Sequence, residues 1–277
     1  MNIVIPMAGL GSRFQLNGNV VPKPLIKIND KYMVEVAIKS LNLEGQYIFV
    51  TRKYGNEYDQ ILNDILKKIK PDCIIHQTDS LTKGSASTCL LVEQYINNDS
   101  PLLITNCDQY VNWDSNDFLT TASLFDACVV TYKSNDPKNS FVKLNDNTHF
   151  AELFVEKTVI SNDALVGIHY WKQGSDFVNS ATRMINQQIT TNGEYYIAPT
   201  YNQLVEAGKK INIYKLNKEQ YYSLGTPDDL KVYLGKLNEY SNLKPKTIIC
   251  DIDGTILKHM HAFSKINEQS VLLPGVS

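Results

Sequence analysis

The chain has 277 residues, 43 % hydrophobic and 20 % charged, the profile of one large globular domain or two modest ones that bury a core without disulfides. Lys and Arg number 27 against 29 Asp and Glu, a formal charge of −2, which excludes a protein whose main task is to grip nucleic acid or an acidic membrane surface. Residues 1–6 carry no basic, apolar leader and no apolar run reaches about 20 residues, so the expectation is a cytoplasmic protein without a membrane partner.

In chain order, short β-branched runs alternate with segments of helical period. Strands are predicted at 2–6, 46–51, 73–77, 102–106 and 127–132, with helices near 33–41, 57–69, 85–96 and 117–124 between them. That alternation reads as βαβ units, and right-handed crossovers make the fold class α/β with a doubly wound, mostly parallel sheet. From Phe141 to Trp171 strands follow one another without helices, at 141–144, 151–155 and 164–171, which predicts a small antiparallel insertion. Helices near 175–188 and 198–207 and a strand at 211–216 come next. Thr226-Pro227-Asp228-Asp229 has a hydroxyl at the N-cap, proline at N1 and an acid three residues on, so a helix should start there and run to about Tyr240. The domain expectation is 1–240, a polar linker at 241–246 and a new segment at 247–277.

The five cysteines, Cys73, Cys89, Cys107, Cys128 and Cys250, form no CxxC pair and read as buried free thiols. The His259-x-His261 pair has no carboxylate or thiol at ligand spacing and reads as a solvated segment.

Chemistry concentrates in a few places. Ala8-Gly9-Leu10-Gly11-Ser12-Arg13-Phe14 follows the first strand, where glycines let backbone N–H groups approach an oxyanion and Ser12 and Arg13 add donors. It is neither a Walker A loop nor a dinucleotide fingerprint, since Phe14 stands at the third glycine. Asp108 ends an apolar strand, a position that suits a Mg²⁺ ligand but also a turn or helix cap. Gln77 offers a paired donor and acceptor, and Lys83-Gly84-Ser85-Ala86-Ser87 opens a helix with small residues, for a flat base or for close helix packing.

Gly9-x-Gly11-x-Arg13 with Pro22-Lys23-Pro24 resembles the signature of the sugar-phosphate nucleotidyltransferases, or pyrophosphorylases, over residues 1–240. The resemblance implies a Rossmann-like nucleotidyltransferase fold, with Arg13, Lys23 and Asp108 catalytic and Asp108 holding Mg²⁺. It implies nucleotide binding by Ala8, Gly9, Gly11, Ser12, Arg13, Gln77, Gly84 and Ser85, and acceptor binding by Glu156, Lys157, Gly167 and Glu194. For Glu156 and Lys157 a surface ion pair is the competing reading. Tyr222-Ser223-Leu224-Gly225-Thr226 matches the family's Asp-x-Gly-Thr, but Ser223 replaces the second metal-binding Asp. Either the metal relies on Asp108, phosphates and water, or an acid such as Asp228 reaches in.

Asp251-Ile252-Asp253-Gly254-Thr255 after an apolar run resembles the first motif of haloacid dehalogenase-like phosphatases, with Asp251 as nucleophile and Asp253 as acid/base, in an incomplete fragment. Together these features resemble capsule or cell-surface polysaccharide enzymes, some of them cytidylyltransferases. The expected reaction is transfer of a nucleotide from an NTP, CTP favoured, to a small phosphorylated acceptor, with pyrophosphate released. The alternatives are a sugar-1-phosphate thymidylyl- or uridylyltransferase, a phosphatase acting through Asp251 and Asp253 in a longer parent protein, and a nucleotide-binding protein without turnover. Oligomeric state is left open, a homo-oligomer included.

Overall fold

The computed structural model describes residues 1–15 and 21–241. Residues Met1–Gly235 form one compact unit, and the chain from Lys236 on belongs to a second. The segment expected to resemble a phosphatase motif, with Asp251 and Asp253, lies outside the described residues, as do Cys250, His259 and His261.

The elements are β1 (Asn2–Met7), α1 (Ser12–Gln15), β2 (Lys27–Ile28), β3 (Lys31–Tyr32), α2 (Met33–Leu41), β4 (Gln46–Arg52), α3 (Glu57–Ile69) and β5 (Ile74–Thr78). Then come α4 (Ser85–Leu90), α5 (Glu93–Ile96), β6 (Leu102–Thr105), β7 (Gln109–Val111), α6 (Ser115–Ala122), β8 (Ala127–Lys133), β9 (Ser140–Leu144), β10 (Ala151–Glu156) and β11 (Asp163–Trp171). The last are α7 (Gly174–Asn186), α8 (Thr200–Glu206), β12 (Ile211–Leu216), β13 (Tyr221–Ser223) and α9 (Pro227–Ser241).

Among the described residues nine strands form one sheet, in which β6, β1, β4 and β5 are neighbours running parallel. Val4 of β1 stands between Ile48 of β4 and Ile104 of β6. All four residues of β6 are buried, as expected of a strand covered on both faces. Alternate side chains divide between two cores. Val4, Ile48 and Ile104 pack with Ala86, Phe177 and Tyr201 of α4, α7 and α8, while Ile3, Phe49 and Leu103 pack with Val34, Leu62 and Phe118 of α2, α3 and α6. The doubly wound α/β arrangement follows from that two-sided burial.

The antiparallel strands extend this same sheet. β11 runs antiparallel to β6, β8 and β9, and β8 in turn pairs parallel with β12. The predicted helix at 85–96 divides, because Leu91 and Val92 bond three residues back, to Thr88 O and Cys89 O, closing the first turn set before α5 begins. Two short pairings had no sequence prediction: β2 with β3, and β13 with β7, which sets Ser223 opposite Gln109. The helix start at Thr226 is as predicted, with the Asp229 N–H donating to Thr226 Oγ1 at 3.1 Å. Cys73, Cys89, Cys107 and Cys128 are free. Among the described residues no helix is long and apolar enough to cross a membrane.

Candidate functional site

The loops after β1 and β6 leave neighbouring parallel strands at their carboxyl ends, the place where open α/β sheets form a crevice. Two cavities open there. One, about 310 Å³, is walled by Ala8, Gly9, Gly11 and Ser12 of the β1 loop with Gly84 and Glu194 facing them. The other, about 300 Å³, is walled by Arg13, Asp108, Glu156, Lys157 and Gly167. Ser85, the first residue of α4, borders both.

Lys23 ties the two loops together. It follows Pro22 into a single 3₁₀ turn, where the Leu25 N–H donates to Pro22 O at 2.8 Å, and its stem lies against Gly11. Its ammonium donates to the Asp108 carboxylate and stands 5.7 Å from the buried Phe14 ring. Burial pushes the Lys23 pKa down, and the neighbouring Asp108 charge more than offsets it, so the group lies above the ordinary lysine value and stays an ammonium. Burial raises the adjacent Cys107 thiol to about 12, so it is protonated and no nucleophile at neutral pH.

Around the second cavity, Glu156 ends β10 and accepts from Ser140 Oγ of β9. Burial raises its pKa above the ordinary carboxylate value. Lys157 donates to Tyr196 Oη and lies 4.3 Å from that ring, and Tyr196 donates in turn to Glu194. Glu156 and Lys157 are therefore not paired with each other at the surface. Glu194, expected with the acceptor, instead walls the cavity of the β1 loop. Gln77 is exposed on β5 opposite Thr51 and is not among the residues walling either cavity.

Two glycines have backbone reasons for their identity. Gly84 has φ +109°, and a Cβ there would collide with the backbone of Tyr195, whose N–H donates to Lys83 O at 2.7 Å and whose carbonyl accepts from Ala86 at 3.0 Å. Gly167 has φ +80° at the irregularity in β11, and a Cβ there would overlap the Asn106 amide, 2.8 Å from its Cγ. Each glycine thus lets the cavity wall close.

Other cavity residues were not named from sequence. Lys138, in the loop between β8 and β9, donates to Asp229 at 2.8 Å. Asp229 also accepts from Ser223 Oγ at 3.1 Å, and its pKa falls below the ordinary value because hydrogen bonds from Lys138 and Thr226 outweigh the upward push of burial. Asp228, the acid named in one of the two alternatives, points away: its side chain is 90 % exposed and pairs with Lys231 at 3.3 Å. The sequence did hold the signal, since with Thr226 at the N-cap the N3 acid is Asp229, and N3 side chains fold back towards the cap. His169 also walls the second cavity, 5.7 Å from the Tyr201 ring, with Nδ1 buried and unpartnered. Burial lowers its pKa to about 3, which keeps it neutral.

No protein-family model matches the chain, and no curated protein matches it. Among solved structures, it is similar to a nucleoside-diphosphate-sugar pyrophosphorylase from Vibrio cholerae RC9, with TM-score 0.73 and 23 % identity over 84 % of this chain and 99 % of that one. A UDP-glucose pyrophosphorylase complexed with UDP-glucose gives TM-score 0.69 and 17 % identity over 86 % of this chain and 98 % of that one. The inositol-1-phosphate CTP transferase from T. maritima gives TM-score 0.67 and 16 % identity over 86 % and 96 %. At these identities the likeness establishes the fold alone, one that this chain shares with two pyrophosphorylases and a CTP transferase over 84 to 86 % of its length.

Proposed function

We propose that the chain is a nucleotidyltransferase that moves a nucleoside monophosphate from an NTP to a small phosphorylated acceptor and releases pyrophosphate. The observation that carries this reading is the pair of cavities meeting at Ser85, one lined by a glycine-rich loop and the other by Arg13, Asp108 and Lys157. An acceptor phosphate oxygen attacks the α-phosphorus in line, forming a P–O bond as the bond to the β-phosphate oxygen breaks and its electron pair leaves with pyrophosphate. A phosphate dianion is already nucleophilic, so no side chain need remove a proton, and catalysis falls to positioning and charge neutralisation.

In this reading Ala8, Gly9, Gly11 and Ser12 face the triphosphate, Gly84 and Ser85 border the base, and Gln77 is left with a supporting place at the strand end. Arg13 and Lys23 neutralise charge at the reacting centre. Lys157 holds the acceptor's phosphate, with Glu156 and Gly167 beside the acceptor's body. Asp108 fits Mg²⁺, a hard cation that takes one or two carboxylates and fills its remaining positions with water and phosphate oxygens. Bound there, Mg²⁺ would supply neutralisation of the polyphosphate.

CTP stands ahead of TTP and UTP, and a place in capsule or surface polysaccharide synthesis is included, on the resemblance of Lys83-Gly84-Ser85-Ala86 and Leu224-Gly225-Thr226-Pro227. The four described thiols are free, three of them buried and Cys73 half-buried, which supports a cytoplasmic setting. A second reading, a nucleotide-binding protein without turnover, is favoured by Ser223 at the second metal position. Pyrophosphate release measured across four NTPs and a panel of phosphorylated sugars, alcohols and amides tests both: acceptor-dependent release from one NTP supports transfer, and nucleotide binding without release from any pair supports the second reading.

A further inference from the structure

We propose that Asp229 supplies the second carboxylate of the cation site, in place of the acid missing at Ser223, and that Lys138 is its resident counter-ion, displaced when a divalent cation arrives. The inference rests on the nucleotidyltransferase reading for the class of cation. Its geometry comes from Gly225, around which three oxygens from separate segments converge. The Cβ position of that glycine lies 3.2 Å from Asp108 Oδ2, 3.3 Å from Ser223 Oγ and 4.0 Å from Asp229 Oδ2. Any side chain at 225 would fill the space these oxygens surround.

The frame holding them is rigid. The Leu224 N–H donates to the Asp108 carbonyl at 2.8 Å, joining the β6 loop to β13. The Gly225 N–H donates to Ser223 Oγ at 3.2 Å while that hydroxyl donates to Asp229, so Ser223 is a positioning residue for the Asp229 carboxylate. The Asp229 backbone is fixed by Thr226 at the N-cap of α9.

Charge completes the argument. Two carboxylates facing one space repel unless something positive lies between or beside them. Here each has its own ammonium: Lys23 on Asp108, and Lys138 on Asp229 at 2.8 Å, with Asp136 also 3.4 Å from Lys138. A divalent cation on the two carboxylates would replace both lysines as counter-charge. Cation loading then frees the Lys138 ammonium, on the wall of the second cavity, for the incoming acceptor phosphate.

The test uses Mn²⁺ alone, titrated calorimetrically into the full chain without nucleotide, with thermal melts to confirm folding of each variant. Asp229→Asn should weaken Mn²⁺ binding about tenfold or more, the scale seen when groups supporting a metal site are removed. Lys138→Met removes the competitor and should tighten binding about threefold or more. Asp228→Asn, on the exposed side of α9, should stay within about twofold of wild type. Unchanged affinity in Lys138→Met, or in a folded Asp229→Asn, overturns the proposal. The expected order of affinities in a protein that releases no pyrophosphate from any NTP would uphold this assignment and sink the reaction proposed above.

Discussion

The two sides of the crevice are built in opposite ways. On the nucleotide side one contiguous stretch, 8–12, turning between β1 and α1, supplies one wall, and residues 81–88 with Glu194 supply the other. The other side is gathered from the β6 loop, the β8–β9 loop, the end of β10, the irregular middle of β11 and the start of α9. A contiguous loop carries its geometry in its own glycines and spacing. A gathered wall depends on long-range pairings, above all β11 against β6 and β13 against β7. Substitutions on the first side should therefore act locally on the nucleotide, whereas those on the second couple chemistry to fold.

The sharpest way to break that division is Asp108, which the two sides share through Lys23. Asp108→Asn should leave the chain folded and lower turnover by about a hundredfold or more, since the carboxylate that would hold the neutralising Mg²⁺ is lost. Steady-state kinetics at saturating Mg²⁺ checks it, and near-normal kcat removes Asp108 from the centre.

Gly84 tests whether a residue read as lining a base is also a fold residue. Gly84→Ala puts a Cβ into the Tyr195 backbone at φ +109°, so denaturant unfolding should show a loss of about 3 kcal/mol. An equally stable variant would mean that the 194–196 segment yields easily.

Lys157 and Arg13 sharpen the comparison kinetically. Lys157→Ala should raise the acceptor KM about tenfold with the NTP KM little changed, and Arg13→Ala, at the end of the glycine loop although its side chain walls the same cavity as Lys157, should act mainly on the NTP, each removing one charge-assisted phosphate contact. Equal effects of Lys157→Ala on both substrates would erase the distinction between the sides.

The effect furthest from the reacting centre is a pH dependence. The His169 pKa is held at about 3 against an ordinary 6.5 by burial. Below 6.5 the unfolded chain binds a proton that the folded chain refuses, so stability is lost as pH falls through that window, by about 1.4 kcal/mol per pH unit at most. His169→Phe, which keeps a ring against Tyr201, should flatten that slope in urea melts between pH 6.5 and 4.5. An unchanged slope would mean that other groups carry the acid sensitivity.

Much of the fold was legible because local pattern coincides with tertiary role. Glu57–Ile69 and Met33–Leu41 match the predicted helices end to end, and β1 reads as a central strand because Ile3, Val4 and Ile5 are all apolar and all buried. What was not legible depends on partners distant in sequence. Three residues at Gln109–Val111 have no strand signal until Tyr221–Ser223 lies beside them. The antiparallel strands expected at 141–171 are present, but their sequence does not reveal that β11 joins β6. At the site, Lys23, Arg13 and the glycines were visible as a motif, whereas Lys138, Ser140 and His169 acquire meaning only once the sheet brings β8, β9 and β11 together. Asp229 was the exception that helix-cap geometry could have found.

The account's central claim is that both sides serve one transfer at the boundary between the cavities. Incubating the protein with NTP labelled at the α-phosphorus, with Mg²⁺ and with or without a phosphorylated acceptor from the panel, tests it most directly. The account predicts label in the acceptor product in equal amount to pyrophosphate, dependent on acceptor and abolished in Asp108→Asn. Label released as free nucleoside monophosphate at the same rate without acceptor, or transfer undiminished in Asp108→Asn, would contradict it.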